Sequence, residues 1–115
     1  MRLRVKIGLR DAADEAFMGL GPAWLLRGVE KLGSLSAAAR EMDMSYSKAH
    51  KLVKKLEAAL GRPVLAVTRG GSSRGGAALT GGGREFLERY EALDAAVRRE
   101  ADKLFKKAFP GGKLI

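Results

Sequence analysis

Residues 36–62, with the sequence SAAAREMDMSYSKAHKLVKKLEAALGR, contain two amphipathic helical patterns separated by a very short connection. We predict the first helix at about residues 36–42. The second is predicted at residues 45–60, because Ser45 can cap its start and Gly61 can end it. Two short helices in direct succession are typical of a helix-turn-helix unit.

The connection between the two helices consists of Asp43 and Met44. Helices joined by a three- or four-residue turn pack at a steep angle only where small side chains lie at the crossing. Alanines meet this requirement on both helices: Ala38, Ala39 and Ala49. Ser34 or Ser36 can cap the first helix by accepting a bond from a backbone N–H group. We therefore expect the N-terminal half of the second helix to form a surface ridge.

Positive charge is concentrated in and after the second helix. Residues 44–84 contain eight lysines and arginines and a single acid, Glu57, in a chain whose net charge is +9. This segregation suggests a polyanionic partner, and nucleic acid is the first candidate. An α-helix fits the major groove of B-form DNA, so we predict double-stranded DNA as the partner and residues 45–60 as the recognition helix. The predicted contacts from the helix-turn-helix are Ser36, Ser45, Tyr46, Ser47, Lys48, His50, Lys51 and Lys54.

The rest of the chain shows the patterns of strands and of two more helices. Strict alternation of apolar and polar residues near the N-terminus indicates a half-buried strand. Pro22 and Gly33 stand where the first turn and the C-terminal cap of a helix belong. The predicted segments are a strand at 3–10, a short returning strand at 16–18, a helix at 22–32, and a hairpin with strands at 63–69 and 77–79 around a glycine-rich loop at 70–76.

The last helical pattern is long and has a single apolar stripe. From residue 84 apolar side chains recur at four-three-four spacing, which predicts a helix of roughly 25 residues that ends before Pro110. Such a helix extends for about 37 Å, more than a domain of this size covers, so we predict a partner helix and a homodimer. The predicted dimerisation residues are Phe86, Tyr90, Leu93, Val97, Ala101 and Leu104.

Composition excludes several classes of function. The chain of 115 residues suits one domain, contains no cysteine and has no apolar run long enough to span a membrane. A lone histidine, His50, makes a metal site improbable, and we expect no cofactor. Little is available for acid–base or nucleophilic catalysis, so an enzyme is the poorest candidate. The N-terminus lacks the core of a secretory signal, and we expect a cytoplasmic protein without membrane contact.

The stretch GSLSAAAREMDMSYSKAHKLVKKLEAALGRPVL, residues 33–65, resembles the winged helix-turn-helix of LysR-type regulators. It is more closely similar to the N-terminal domain of the ModE (molybdate-responsive regulator) family, together with GPAWLL at 21–26 and the glycine-rich TRGGSSRGGAALT at 68–80. The resemblance implies that the recognition helix enters the major groove and that a wing at 69–77 touches the DNA backbone or minor groove. It also implies wing contacts from Arg69 and Arg74, and pairing of two subunits through the last helix.

Two departures from the family pattern are apparent. The family commonly has glycine in the turn where this chain has Asp43, but aspartate tolerates the left-handed backbone conformation. Full-length members of the family also carry a C-terminal molybdate-binding module, and we expect no such module within this chain. Molybdate sensing is therefore not part of the function predicted for this sequence.

These observations predict a mainly α protein with a small β-hairpin. Residues 1–82 would form a winged helix-turn-helix DNA-binding domain with a leading strand, 83–109 a C-terminal dimerisation helix and 110–115 a tail. The predicted function is a homodimeric, sequence-specific transcriptional regulator that binds a two-fold related operator. The alternatives are a non-specific nucleoid or RNA-binding protein, and a winged-helix module for protein interaction.

Overall fold

A computed structural model describes residues 1–68 and 76–113, without the side chain of Thr68. The order of elements is the predicted one: strand, helix, helix-turn-helix, hairpin and long helix. The elements are β1 (Leu9–Arg10), β2 (Ala16–Met18), α1 (Leu20–Leu32), α2 (Leu35–Glu41), α3 (Tyr46–Leu60), β3 (Leu65–Thr68), β4 (Gly76–Leu79) and α4 (Gly81–Ala108), followed by a 3₁₀ turn (Pro110–Gly112). In the described part of the chain no helix is both long and apolar enough to cross a membrane.

The helix-turn-helix forms as its sequence predicts. Ser34, rather than Ser36, caps α2, because its hydroxyl accepts a bond from the N–H of Ala37 at 3.1 Å. Asp43 adopts the left-handed conformation with φ of 53°, which confirms that aspartate replaces glycine in this turn. The crossing alanines are almost completely buried: Ala38, Ala39 and Ala49. They let α2 and α3 approach closely above a core that α1 completes.

The hairpin β3–β4 is antiparallel, and the start of its second strand is bonded to the chain between α1 and α2. Leu65 pairs with Leu79 and Thr68 with Gly76. The N–H of Ala77 also donates to the carbonyl of Gly33 at 2.9 Å, just after α1. The strand predicted at 63–69 begins only at Leu65, and the N–H of Val64 just before it bonds to the carboxylate of Glu57 on α3.

The start of α4 depends on glycine and on Thr80. The Thr80 hydroxyl accepts a bond from the N–H of Gly83 at 2.9 Å and donates to the carbonyl of Pro63 at 2.8 Å. A Cβ at Gly83 would overlap the carbonyl of Val64 and would lie 2.9 Å from its Cα. The absence of a side chain therefore allows α4 to pack against the chain that enters β3. The helix begins at Gly81, two residues before the predicted boundary.

The leading strand is much shorter than predicted. Of residues 3–10, only Leu9 and Arg10 are in a strand, where they pair with Met18 and Ala16 of the three-residue β2, which is too short to pair with the rest. The predicted alternation still governs burial, since Val5, Ile7 and Leu9 are half-buried. The extended segment lies along α4 instead, where the hydroxyl of Tyr90 donates to the carbonyl of Ile7 at 2.7 Å. A helix, not a strand, is its main partner.

Candidate nucleic-acid interface

Helix α3 has one buried face and one cationic face. Its buried side chains are Ala49, Val53 and Leu56. On the opposite side the four-three-four spacing places Ser47, Lys51, Lys54 and Ala58 in one row, and all four are exposed. Because none of these residues contributes to the core, the row is free to contact a partner along about three turns of helix.

The N-terminal end of α3 combines a cap with exposed side chains. The hydroxyl of Ser45 accepts a bond from the N–H of Lys48 at 3.1 Å, so Ser45 acts as the helix cap. Tyr46 follows as the first helical residue and is 55% exposed. Its ring lies 5.9 Å from that of His50, one turn further on, with 30° between the ring planes. The predicted contact residues of this end therefore lie together on the surface.

The four lysines of α3 differ in their partners. Lys54 lies 3.4 Å from Glu57 of the same helix, and Lys55 lies 3.4 Å from Glu15 in the connection between β1 and β2. Lys48 and Lys51 form no ion pair within residues 1–68 and 76–113. The uncompensated charge of the helix therefore lies at its N-terminal half.

Glu57 has a structural role that the sequence did not reveal. Its carboxylate accepts bonds from the N–H groups of Val64 at 2.8 Å and Leu65 at 3.4 Å. The side chain is only 16% exposed, and Lys54 is its cationic partner. Glu57 thus fixes the start of β3 against α3. The sequence marks Glu57 as the single acid of a basic segment, but its backbone partners depend on the fold.

A groove of about 420 Å³ separates the N-terminal half of α3 from α2 and the hairpin. Tyr46 and His50 line the α3 side, Ser36 lies on the α2 side, and Val67, 71% exposed, lies on β3. The structure therefore brings Ser36 close to the predicted contacts of α3. Val67 is a surface residue of this region that the sequence did not single out. Arg69 and Arg74, the predicted wing contacts, lie outside the described residues.

The apolar stripe of α4 is divided between two environments. Tyr90 is 2% exposed and Phe86 is half-buried, with its ring 6.4 Å from that of Phe17. Further along, Leu93, Val97 and Leu104 are 43%, 37% and 59% exposed. Phe86 and Tyr90 therefore pack within their own chain, and a partner helix would find its apolar contacts from Leu93 onward. Ala101, which lies between Val97 and Leu104, is half-buried.

Ion pairs connect the first half of α4 to α1. The guanidinium of Arg27 donates to the carboxylate of Glu91 through Nε and Nη2 and to Glu30 through Nη1. These bonds, that to Glu91 first, raise the pKa of Arg27 above its usual range. Arg84 lies 3.5 Å from the same Glu30. The base of α4 is therefore attached to the domain that presents α3.

A helix-turn-helix followed by an antiparallel hairpin, with a cationic second helix, defines a winged helix-turn-helix protein. The sequence matches the family model of the bacterial regulatory helix-turn-helix proteins of the lysR family over residues 25–84, and the chain belongs to this family. The matched segment extends from α1 through α2, α3 and the hairpin to the first turn of α4.

Two curated relatives have names that refer to molybdenum. The molybdenum-pterin-binding protein MopB of Rhodobacter capsulatus is 38% identical over 84 residues, which is 73% of this chain. The molybdenum transport protein ModE of Azotobacter vinelandii is 29% identical over 83 residues, or 72% of the chain. In both cases the chain spans 31% of the length of the relative.

Solved structures support the same fold. The DNA-binding domain of CbnR, crystallised as a complex with DNA, has a TM-score of 0.62 and 26% identity to this chain, covering 79% of it and 99% of the CbnR domain. The LysR-family regulator VV2_1132 has a TM-score of 0.59 with 19% identity. The predicted winged helix-turn-helix and its long C-terminal helix are thereby confirmed.

Proposed function

We propose that this chain is a sequence-specific DNA-binding transcriptional regulator that acts as a homodimer. The observation that carries the proposal is the exposed row Ser47, Lys51 and Lys54 on α3, opposite its buried face. The CbnR complex supports it, because a domain of similar fold was crystallised with DNA. The proposed function also implies a cytoplasmic location, because a regulator of this kind must reach the DNA that it binds.

The row on α3 suits a recognition helix. A helix lying in the major groove contacts base edges with the residues near its N-terminus, while lysines along it contact guanine or phosphates. Ser47 would reach base edges, Lys51 a base edge and an adjacent phosphate, and Lys48 and Lys54 the flanking phosphates. The free N–H groups after Ser45 would face phosphate oxygens favourably. Arg69 and Arg74 would add wing contacts to the backbone or minor groove.

The second half of α4 suits a dimer interface. Its exposed apolar residues Leu93, Val97 and Leu104 lie on one face, and burial against a second copy would remove that apolar surface from water. A two-fold dimer presents two recognition helices to sites that are one helical turn apart, or a multiple of it. We therefore expect the operator to have two related halves.

The proposal is tested by selecting bound duplexes from a random library and then comparing the selected duplex with a scrambled one. We expect a common two-fold motif and at least a hundredfold preference for it at physiological salt, consistent with specific regulators. Equal affinities would favour the non-specific nucleoid alternative, and stronger competition by RNA would favour an RNA-binding protein. If no nucleic acid is bound even at low salt, the remaining alternative is a winged-helix module for protein interaction. A Ser47→Ala, Lys51→Ala variant should lose most of the preference.

A further inference from the structure

Tyr46 is an apolar side chain at an otherwise polar end of α3. It is the one large hydrophobic residue of this helix that is mainly exposed, at 55%, and Ser45, Ser47 and Lys48 surround it in sequence. The residue neither completes the core nor caps the helix. Exposed aromatic side chains in a binding region are commonly contact residues, because they offer a large rigid surface.

The ring of Tyr46 is also held in place. It lies beside the ring of His50 at a centroid distance of 5.9 Å, and both rings line the groove between α3 and the hairpin. Within residues 1–68 and 76–113 the Tyr46 hydroxyl forms no hydrogen bond. A ring supported on one side loses little conformational freedom when a ligand contacts its other surface. The exposed surface of the ring is therefore available to an apolar partner.

We propose that Tyr46 recognises the 5-methyl group of a thymine in each half of the operator. This inference rests on the proposed function, since it assumes that α3 lies in the major groove. The thymine methyl is the apolar group that base pairs present in that groove, whereas the other base-edge groups are hydrogen-bond donors and acceptors. The N-terminal residues of a recognition helix lie nearest to base edges. Tyr46 as first helical residue thus determines a preference for thymine.

The test uses the selected operator with a single thymine in each half replaced by uracil, which removes the methyl group and leaves the hydrogen-bonding edge unchanged. At one position of each half-site, wild-type protein should lose about fourfold in affinity per methyl, the magnitude expected for burying one such group. Tyr46→Ala and Tyr46→Gln should bind thymine and uracil duplexes equally at that position. Tyr46→Phe, which keeps the ring, should discriminate as the wild type does.

Each other result overturns the inference. If uracil has no effect at any position, or the same effect in Tyr46→Ala and Tyr46→Gln as in the wild type, the ring does not contact the methyl group. Loss of discrimination in Tyr46→Phe would assign the effect to the hydroxyl. A selected motif without thymine would also exclude the proposal. A library that yields no motif is a different failure, because it overturns the proposed function itself.

Discussion

Tyr90 connects the longest helix to the N-terminal segment through one hydrogen bond. Its side chain is 2% exposed, and its hydroxyl donates to the carbonyl of Ile7 at 2.7 Å. Replacement by phenylalanine keeps the packed ring and leaves that carbonyl without its donor. We expect Tyr90→Phe to lower the free energy of unfolding by about 1–2 kcal/mol in chemical denaturation. Tyr46→Phe is the matched control and should leave stability unchanged; equal effects of the two would mean that the Tyr90 bond adds nothing.

The same tyrosine should make stability depend on pH in the alkaline range. Burial raises the pKa of Tyr90, and the nearby Asp94 carboxylate raises it further. The folded-state pKa exceeds the unfolded value of about 10, so the folded chain holds the proton more tightly. The resulting contribution of Tyr90 to the free energy of unfolding is complete below about pH 10. It is lost as the pH rises through the folded-state pKa. The stability difference between wild type and Tyr90→Phe should therefore shrink above pH 10 in denaturation series; a constant difference would contradict this.

Lys51 should contribute to DNA affinity through its charge as well as through its proposed base contact. It is exposed in the middle of the α3 row and forms no ion pair with any described residue. Each lysine that neutralises a phosphate releases condensed counterions, so Lys51→Ala should weaken binding and reduce the slope of log K against log salt by about 1. Lys54→Ala should act in the same direction. Fluorescence anisotropy at several salt concentrations measures both.

A control for these variants is Lys103→Ala at the far end of α4. Lys103 is 75% exposed, and its nearest acid is Glu100 at 3.9 Å. The change removes the same charge from the chain without affecting α3, so the salt slope should remain that of the wild type. If Lys103→Ala flattened the slope as much as Lys51→Ala, net charge rather than the α3 surface would determine binding.

Among the elements, the first turn of α4 provides a test of close packing against helix propensity. Gly81 and Gly83 both lie in this turn, and alanine is the better helix former by up to about 1 kcal/mol. At Gly81 a Cβ would have no atom within 4 Å, whereas at Gly83 it would overlap the backbone of Val64. We expect Gly83→Ala to destabilise the fold by about 1–3 kcal/mol and Gly81→Ala to be neutral or stabilising. Thermal or chemical unfolding measures the difference, which disappears if propensity alone matters, because both alanines would then be neutral or stabilising.

Elements with local signals were predictable from the sequence. The caps Ser45 and Gly61 delimit α3 as expected, and Asp43 adopts the conformation that its short side chain permits. The N-terminal strand was overestimated because alternation reports half-burial and does not reveal whether the partner is a strand or a helix. The bonds of Glu57 to the start of β3 were unpredictable for a related reason, since the approach of these two segments depends on the tertiary fold.

At the scale of the molecule, the chain is elongated, with extents of 62, 30 and 23 Å. The 28 residues of α4 account for about 42 Å of this length. Its buried residues, Gly83, Leu87 and Tyr90, all lie in the first ten. Farther along, the N-terminal segment covers part of one side, where Leu3 and Val5 lie near Arg98 and Asp102. The N-terminal segment leaves the apolar residues Leu93, Val97 and Leu104 of α4 exposed, as expected for a helix that pairs with a second copy.

The whole-molecule prediction is that this exposed stripe determines the oligomeric state. Leu93 and Leu104 are 43% and 59% exposed, and Val97 lies between them on the same face. Because glutamine preserves helix propensity while removing apolar surface, we expect Leu93→Gln with Leu104→Gln to convert a dimer into a monomer in sedimentation equilibrium. Leu32→Gln, at the end of α1, is the control and should remain dimeric.

The DNA affinity of the monomeric variant should separate dimerisation from groove contacts. In a dimer the two recognition helices are linked, so binding of one half-site raises the effective concentration of the second helix at the other. Loss of the dimer should therefore lower affinity for the complete operator by at least tenfold. Affinity for an isolated half-site should stay unchanged, because α3 is intact and distant from Leu104. A variant that stays dimeric would exclude this stripe as the interface. A monomer that retains full operator affinity would show that pairing through α4 is not needed for recognition.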